Sequence, residues 1–327
     1  MADHRGLSRR HALALGGGAA LAFAGGLTAC SAKGVPFRIG FQKNGVLLVA
    51  KERGLTEAAL KPVFEKAGGG SVSWSEFASG PPLLEALAVG SVDFGATGDT
   101  PPVVAQAAGA DLVYVAAVPL SGAAAAVLIP KSSSLTSVSQ LKGKKIAFTK
   151  GSSAQAMAEA ILAREGLGLS DIEAVNLSPA DGGAALAGGD IDAWIIWDPY
   201  YALAEQAGTA KVLASGQGAI RSYQFFLARR KFAADHPEIV QAMIDHLAAT
   251  GLWSKSHPNE VAALMVKATG VDLAVQRRVA ERQDYDVTAI TPQIISDQQA
   301  LADRLAKSGL APKTVSIAGA VWSGAKS

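Results

Sequence analysis

Cysteine is almost absent from this chain of 327 residues: Cys30 is the only one. A lone cysteine excludes a disulfide within the chain and a metal site built from several thiolates, and it leaves no catalytic thiol elsewhere. Histidine is also scarce, and two of the five copies, His4 and His11, lie near the N-terminus. The other three lie in predicted C-terminal helices, away from any strand end that carries an acid and a nucleophile. A hydrolytic triad has no base here, so we expect no enzyme activity, no cofactor and no metal.

Charge is the second scarce feature. Charged residues make up 18% of the chain, and the formal net charge is only +2. Residues 1–29 carry this whole excess, so the remainder is neutral. Without a basic stripe or a Lys/Arg cluster, the chain is not expected to bind nucleic acid or a membrane surface. The length and the 49% hydrophobic content fit a compact globular protein with two domains.

An export signal is predicted over residues 1–29. Ser8-Arg9-Arg10 precedes the apolar run 12–27, which is short for a bilayer and rich in Ala and Gly. The paired arginines resemble the twin-arginine type, and Leu27-Thr28-Ala29-Cys30 resembles a bacterial lipobox in which Cys30 becomes the lipidated first residue. A conventional secretory signal with an incidental cysteine is the alternative. We therefore expect an exported protein, either periplasmic or lipid-anchored to the cell membrane on its periplasmic face.

Beyond a linker over residues 30–36, strand-like apolar runs alternate with helical patterns. A first set of strands is predicted at 37–41, 72–77, 92–96 and 112–118, with helices at 46–53, 81–89 and 101–108 between them. After a compositional break at Ser121-Gly122, further strands are predicted at 124–129, 144–148, 173–177, 193–197 and 223–228. From Phe232 onward the pattern is mostly helical. This βαβ rhythm predicts two α/β units with parallel sheets and ligands at the carboxyl ends of their strands.

Glycine and small polar residues recur where a predicted strand gives way to a helix. Four such junctions occur, two in each unit, at 79–81, 98–100, 151–153 and 181–182. Helix N-termini offer free N–H groups and a positive dipole end, which suit an oxyanion. If the two units face each other, these N-termini converge on one cleft and hold a small anion without a buried cation. Ordinary helix capping is the alternative, and the glycine spacing matches no phosphate loop or dinucleotide fingerprint.

Scattered aspartates and two tryptophans are the other candidate groups. Metal binding is one interpretation of Asp99, Asp181 and Asp198, but isolated aspartates more often cap helices. Trp194 and Trp197 cannot share one face of a strand, since faces repeat every second residue. Trp194 is therefore predicted in the core. Trp197, at the strand end, is predicted to line the apolar part of a ligand, with simple packing as the alternative.

Several motifs together resemble one known family, over residues 37–322. They are Gln42-Lys43, Phe77-Ala78-Ser79-Gly80-Pro81, Leu84 to Gly95, Thr97-Gly98-Asp99-Thr100-Pro101-Pro102, Ala105 to Asp111, Asp192 to Pro199, and Tyr223 to Ala228. The chain resembles the aliphatic-sulfonate-binding proteins of ABC importers. This resemblance implies an α/β fold of the periplasmic-binding-protein type II class, a clamshell of two lobes, each a mixed, mostly parallel sheet with flanking helices. Residues 37–120 and 224–327 would form lobe one, and residues 121–223 lobe two with the hinge crossings.

The resemblance also implies a ligand site and partners. The expected ligand-binding residues are Gln42, Asn44, Ser79, Gly80, Pro81, Thr97, Gly98, Asp99 (through its backbone), Thr100, Gly151, Ser152, Ser153, Trp197 and Asp198. The expected ligand is a small anionic organosulfonate, captured outside the cytoplasmic membrane by a monomer and delivered to an ABC permease with its ATPase.

Other functions stay open at this point. Relatives on this fold bind taurine, nitrate or a thiamine-precursor pyrimidine, and a desulfinase-like enzyme uses the same fold. A lipoprotein that signals rather than transports is a further alternative.

Overall fold

The computed structural model describes residues 34–219 and 221–324. The predicted export signal over 1–29 and the predicted lipidation site Cys30 lie outside the described residues. The same holds for Ile220, near one predicted hinge crossing.

Ten strands and twelve α-helices make up the described part of the chain. In chain order, strands β1 to β10 are Val35–Phe41, Gly70–Glu76, Phe94–Gly98, Leu112–Leu120, Ala125–Pro130, Lys145–Phe148, Glu173–Asn176, Ala193–Trp197, Ala210–Ser215 and Ser222–Arg229. Helices α1 to α12 are Gly45–Arg53, Thr56–Lys66, Gly80–Ala88, Thr100–Ala107, Ser153–Arg164, Pro179–Gly188, Tyr200–Gln206, Arg230–Asp235, Pro237–Ser256, Pro258–Thr269, Leu273–Arg282 and Pro292–Lys307. None of these helices combines the length and the apolar character needed to cross a bilayer.

The strands form two five-stranded sheets with the same design. The first sheet has the order β2-β1-β3-β10-β4, and the second has the order β7-β6-β8-β5-β9. In the first sheet β10 runs antiparallel to both of its neighbours, and in the second sheet β5 does so. Four strands of each sheet therefore point the same way and one is reversed. Each sheet is mixed and mostly parallel, as predicted.

The chain connects the two sheets twice. It leaves the first sheet after β4 and enters the second at β5, and it returns from β9 to β10. The reversed strand β10 lies between β3 and β4 in the first sheet. The long C-terminal helical region follows this return, so the first sheet is built from two separated parts of the sequence. The division into lobes with a hinge at these crossings stays a prediction.

Apolar residues cover both faces of each sheet. On β10, Phe226 and Ala228 belong to one core cluster, while Phe225 and Leu227 belong to another. Successive residues of a strand point to opposite faces, so a run that is apolar throughout is buried on both sides. Trp194, only 2% exposed, lies in the core of the second sheet as predicted.

Four elements were not predicted from the sequence: α2, α7, α8 and β9. Pro62 lies inside α2 and weakens its helical pattern, although Leu60 and Phe64 are buried one turn apart. Strand β9 pairs only with β5 at the end of the second sheet and is largely half-exposed, so its apolar signal is weak. The formation of these four elements depends more on packing against neighbouring elements than on their own sequences.

Candidate functional site

A cavity of about 140 Å³ lies where elements of the two sheets meet. Residues at strand ends and helix starts line it: Gln42, Asn44, Gly80, Gly98, Pro101, Leu120, Gly122, Ala124, Ala125, Ser152, Ser153, Ala154, Met157, Ile196, Trp197, Asp198, Gly216, Ser222, Gln224, Gln283 and Asp284. Both sheets contribute to this lining, which is the arrangement expected of a ligand site between two α/β units.

Three helices begin at the cavity. Helix α3 starts at Gly80 after the N-cap Ser79, and α4 starts at Thr100 after Gly98-Asp99. Helix α5 starts at Ser153, and its N-cap Ser152 accepts a hydrogen bond from the backbone N–H of Ala154 at 3.2 Å. The first turn of a helix has N–H groups without intrahelical partners and a partial positive charge. Three such ends at one cavity favour an anion.

Two glycines allow these helix starts to approach one another. A Cβ atom at Gly80 would lie 2.5 Å from Cγ of Pro101, in the first turn of α4. A Cβ atom at Gly98 would overlap the hydroxyl of Ser153, on α5. At Gly80 only glycine avoids the rigid Pro101 ring, and at Gly98 any Cβ would force the Ser153 hydroxyl to rotate, so both positions serve close packing of the cavity wall.

Asp99 is buried beside the cavity, and its carboxylate bonds to hydroxyl groups. Ser222 Oγ donates to Asp99 Oδ2 at 2.8 Å, and Thr100 Oγ1 donates to Oδ1 at 3.1 Å. Burial raises the pKa of Asp99, while the hydroxyls of Ser222, Ser153 and Thr100 lower it in part. Asp99 occupies the N-cap position of α4, but its side chain forms no helix-capping hydrogen bond. Its carboxylate ties α4 to β10 instead.

Side-chain amides provide further polar groups at the cavity. Gln42 Nε2 donates to the carbonyl oxygen of Ala96 at 3.1 Å, and Asn44 Nδ2 donates to the carbonyl oxygen of Asp198 at 3.2 Å. Gln224, on β10, is 8% exposed, and its buried Oε1 has no hydrogen-bond partner among the described residues. A buried amide oxygen without a partner is costly, and Nε2 of the same amide is a donor from which an anionic ligand can accept a hydrogen bond.

Apolar side chains form another part of the wall, and the carboxylate of Asp198 lies among them. Trp197, Ile196 and Met157 contribute the apolar surface. Asp198 is 1% exposed; its Oδ1 accepts a hydrogen bond from the backbone N–H of Ala202 at 2.9 Å and lies 3.6 Å from Nη1 of Arg282. Burial raises the pKa of Asp198 to about 6, and the charge of Arg282 opposes this rise.

The raised pKa of Asp198 predicts a pH-dependent stability. The folded protein binds the Asp198 proton more tightly than the unfolded chain, so this group lowers the free energy of unfolding as pH rises from about 4 to about 6. We expect Asp198→Asn to remove this loss, so that the variant gains about 2 kcal/mol relative to the wild type between about pH 4 and pH 7. Urea unfolding at both pH values measures the difference. Asp190→Asn, at an exposed carboxylate, is the control, and parallel pH profiles for wild type and Asp198→Asn would contradict the prediction.

No lysine, arginine or histidine is among the residues that line the cavity. Lys43 lines an adjoining cavity, where its Nζ pairs with Glu76 at 3.2 Å. Within the described residues there is also no group of three or more His, Cys, Asp or Glu side chains that could hold a metal ion. The cavity therefore offers dipoles and neutral donors to an anion rather than a cationic side chain.

Similarity to known proteins agrees with this geometry. Residues 76–261 match the family described as NMT1/THI5 like. An aliphatic-sulfonates-binding protein of Escherichia coli is 36% identical over 287 residues, which cover 87% of this chain and 88% of that protein. The chain belongs to the family of aliphatic-sulfonate-binding proteins.

Solved structures of this family share the fold. The alkanesulfonate-binding protein SsuA from Xanthomonas axonopodis pv. citri, bound to MOPS, matches with a TM-score of 0.82 at 39% identity, over 88% of this chain and 98% of that one. The periplasmic aliphatic sulphonate binding protein SsuA from Escherichia coli matches with a TM-score of 0.79 at 35% identity, over 89% and 93% of the two chains. The predicted fold class is thus confirmed.

Two relatives of this family member, from Escherichia coli and Bacillus subtilis, are named as binding proteins. An enzyme, a desulfinase of Rhodococcus erythropolis, is 26% identical over only 33% of this chain and 32% of its own length. The comparison therefore favours a binding protein over an enzyme.

The structure brings most of the predicted ligand-binding residues to one place. Eight of them line the cavity: Gln42, Asn44, Gly80, Gly98, Ser152, Ser153, Trp197 and Asp198. The other six, Ser79, Pro81, Thr97, Asp99, Thr100 and Gly151, are neighbours of these residues in the chain but do not line it. Their ligand contacts stay predictions.

The fourth predicted junction, Asp181-Gly182, does not join the site. Ser178 caps α6 by accepting a hydrogen bond from the backbone N–H of Asp181, and Gly182 packs against the indole of Trp194. A Cβ atom at Gly182 would lie 2.5 Å from Nε1 of that indole, so this glycine serves the core. The expectation that all four helix starts converge is therefore wrong for this one.

Sequence reasoning missed several cavity residues, above all Ser222, Gln224 and Asp284. Gln224 had a detectable signal, because a glutamine interrupts an otherwise apolar strand. Asp284 had none, since it follows the end of α11 in a polar stretch.

Proposed function

We propose that this chain is the solute-binding component of an ABC importer, which captures alkanesulfonates outside the cytoplasmic membrane and delivers them to the permease and its ATPase. The observation that carries this proposal is the cavity with three helix N-termini and no cationic side chain. A sulfonate stays anionic at physiological pH, so neutral dipoles bind it without a proton-dependent partner. Membership of the sulfonate-binding family supports the same ligand class.

In the proposed complex, backbone N–H groups at the starts of α3, α4 and α5 bind the sulfonate oxygens. The hydroxyls of Ser152 and Ser153 assist them, and Gly80 and Gly98 allow the close approach. Trp197 and Met157 cover the organic tail. Ligand contacts from both sheets favour closure of the two lobes about the crossings, a hinge motion of the periplasmic-binding-protein kind.

We further propose that the protein acts as an exported monomer, held at the periplasmic face of the cell membrane by a lipid on Cys30. The intact mass of the protein recovered from cells tests the anchor. Lipidation would be contradicted by the mass of an unmodified chain, or by the mass of a mature chain that begins at a residue other than Cys30.

A panel of ligands tests the proposed function. Alkanesulfonates should raise the melting temperature of the full chain, since a ligand at one hundred times its Kd adds about 3 kcal/mol to the free energy of unfolding. Sulfate, nitrate and pyrimidines should leave it unchanged, and aryl sulfinates should give no desulfinated product. If nitrate or a pyrimidine stabilises the protein and no sulfonate does, the proposal is wrong.

Gln224 provides a sharper test of the site. We expect Gln224→Leu to weaken alkanesulfonate binding about tenfold, because Nε2 of Gln224 can donate to a sulfonate oxygen and a hydrogen bond to a charged ligand contributes about 1.5 kcal/mol. Stability without ligand should not fall, because the amide oxygen has no partner to lose. Calorimetric titration and thermal melts measure both effects.

Gln276→Leu is the matched control. Gln276 is 1% exposed on α11, and its Nε2 donates to Thr269 Oγ1 at 2.7 Å, away from the cavity. This variant should lose stability and retain affinity. If both variants bind sulfonate normally, Gln224 does not contact the ligand.

A further inference from the structure

Two carboxylates, Asp198 and Asp284, line the cavity, and no cationic side chain lines it. The carboxylate of Asp284 and the backbone of Asp198 each bond to the crossing segment 121–124 that joins the two sheets. The backbone N–H and Oγ of Ser121 donate to Asp284 Oδ2 at 2.7 and 2.9 Å, and the backbone N–H of Asp198 donates to the carbonyl oxygen of Ala124 at 2.9 Å. The cavity is therefore polarised, with helix N-termini around one part and carboxylates at this segment.

The negative charge at this segment is not balanced by the protein. Arg282 contacts Asp198, but its Nη2 also pairs with Glu205 at 2.6 Å, so one cation serves two carboxylates. Asp198 Oδ2 is buried and has no hydrogen-bond partner among the described residues. Asp284 forms no ion pair within the described part of the chain, and its Oδ1 accepts no hydrogen bond there.

An alkanesulfonate with a neutral tail would add a third negative charge to this cavity. A ligand with an ammonium group on its tail would instead present one charge to each pole, the sulfonate to the helix N-termini and the ammonium to the carboxylates. Electrostatic complementarity of this kind determines which partner is preferred.

We infer that the cavity selects zwitterionic sulfonates, whose tails carry an ammonium group, and that Asp284 is the residue that determines this selectivity. The inference rests on the proposed function, since it names the subclass of sulfonate that the same site takes. Asp284 has the required features: it lines the cavity, its Oδ2 is fixed by two hydrogen bonds from Ser121, and its Oδ1 accepts no hydrogen bond from the described residues. Asp198 is tied to Arg282 and to the start of α7, so it contributes charge rather than selectivity.

Two ligands of the same shape isolate the charge. Butanesulfonate and homotaurine, which is propanesulfonate with a terminal amine, differ only by a methyl in place of a protonated amine. In calorimetric titrations of the full chain at low salt, we expect homotaurine to bind about tenfold more tightly. Hydroxypropanesulfonate, a neutral hydrogen-bond donor of similar size, should bind no better than butanesulfonate.

Asp284→Asn then assigns the selectivity. Asparagine retains an acceptor for Ser121 and removes the charge, so the two ligands should bind this variant within about twofold of each other. The affinity for butanesulfonate should rise, because a like charge has been removed from the cavity. Asp286→Asn is the matched control, because Asp286 lies two residues away, is exposed, and pairs with Lys255 at 2.8 Å outside the cavity. It should retain the preference for homotaurine.

The outcomes separate this inference from the proposed function. If butanesulfonate or hydroxypropanesulfonate binds as tightly as homotaurine, or if the preference survives in Asp284→Asn, the inference is wrong and the proposed function stands. If no sulfonate binds the wild type, both are wrong. A melting temperature of Asp284→Asn close to that of the wild type establishes that the variant is folded.

Discussion

Gly98→Ala should weaken alkanesulfonate binding about 100-fold. The added Cβ would overlap the hydroxyl of Ser153, which lies at the start of α5 on the other sheet. Overpacking of this kind costs about 1–3 kcal/mol, and here the cost opposes the approach of α5 to the ligand. The upper end of this range corresponds to about two orders of magnitude in Kd. Calorimetric titration measures the affinity, and a lost ligand-induced rise in melting temperature should accompany it.

Two further variants test this explanation. Gly168→Ala is the control, because a Cβ there has its nearest neighbour at 3.8 Å and lies outside the cavity. Ser153→Gly removes the overlapping hydroxyl together with one proposed sulfonate donor, so we expect Gly98→Ala to weaken binding far less in the Ser153→Gly background than in the wild type. If Gly98→Ala weakens binding equally in the two backgrounds, the overlap is not the cause.

Asp93→Ala should lower the free energy of unfolding by about 3 kcal/mol. Asp93 is fully buried before β3, and its carboxylate pairs with Nε of Arg38 at 2.7 Å and with Nη2 of Arg229 at 2.8 Å. The change leaves two guanidinium groups without their counterion. Both arginine side chains are partly exposed, at 38% and 26%, so water offsets part of the loss and places the effect at the lower end of the usual range.

Asp111→Ala is the matched control for Asp93. Asp111 pairs with Nε of Arg230 at 2.6 Å, but its side chain is 70% exposed. Exposed ion pairs contribute at most about 1 kcal/mol, so this variant should remain near wild-type stability. Urea unfolding measures the free energy of unfolding of both variants. Equal losses in this free energy would contradict the prediction that the buried ion pairs of Asp93 contribute more than the exposed pair of Asp111.

The pair Asp93–Arg229 also shows how the first sheet is assembled. Arg38 lies on β1 and Arg229 at the end of β10, almost two hundred positions apart in the sequence. Asp93 pairs with both arginines. It therefore connects β1, which precedes the second sheet in the chain, with β10, which follows it. The local sequence around Asp93 does not predict these two ion pairs, because Arg229 comes from a distant segment of the chain.

The local parts of the site were predictable because their signals are local. Ser79-Gly80-Pro81 and Gly151-Ser152-Ser153 combine a cap, a glycine and a helix start within three residues, and each does begin a helix at the cavity. The third start, at Gly98, follows the same logic. The Asp181-Gly182 start carries the same signal and yet packs against Trp194, so a helix start alone does not reveal where it points.

The sequence by itself determined the α/β alternation, the two sheets and the dipole-based character of the candidate anion site. These follow from apolar periodicity and capping residues, which act over a few positions. Only the tertiary structure decided which strand ends meet, because strand order and the two crossings bring Gln42, Ser153, Gln224 and Asp284 together from four separate segments. This arrangement of strand ends also gives the cavity its uneven charge distribution. Helix dipoles and carboxylates can act on one ligand only when folding brings them close together.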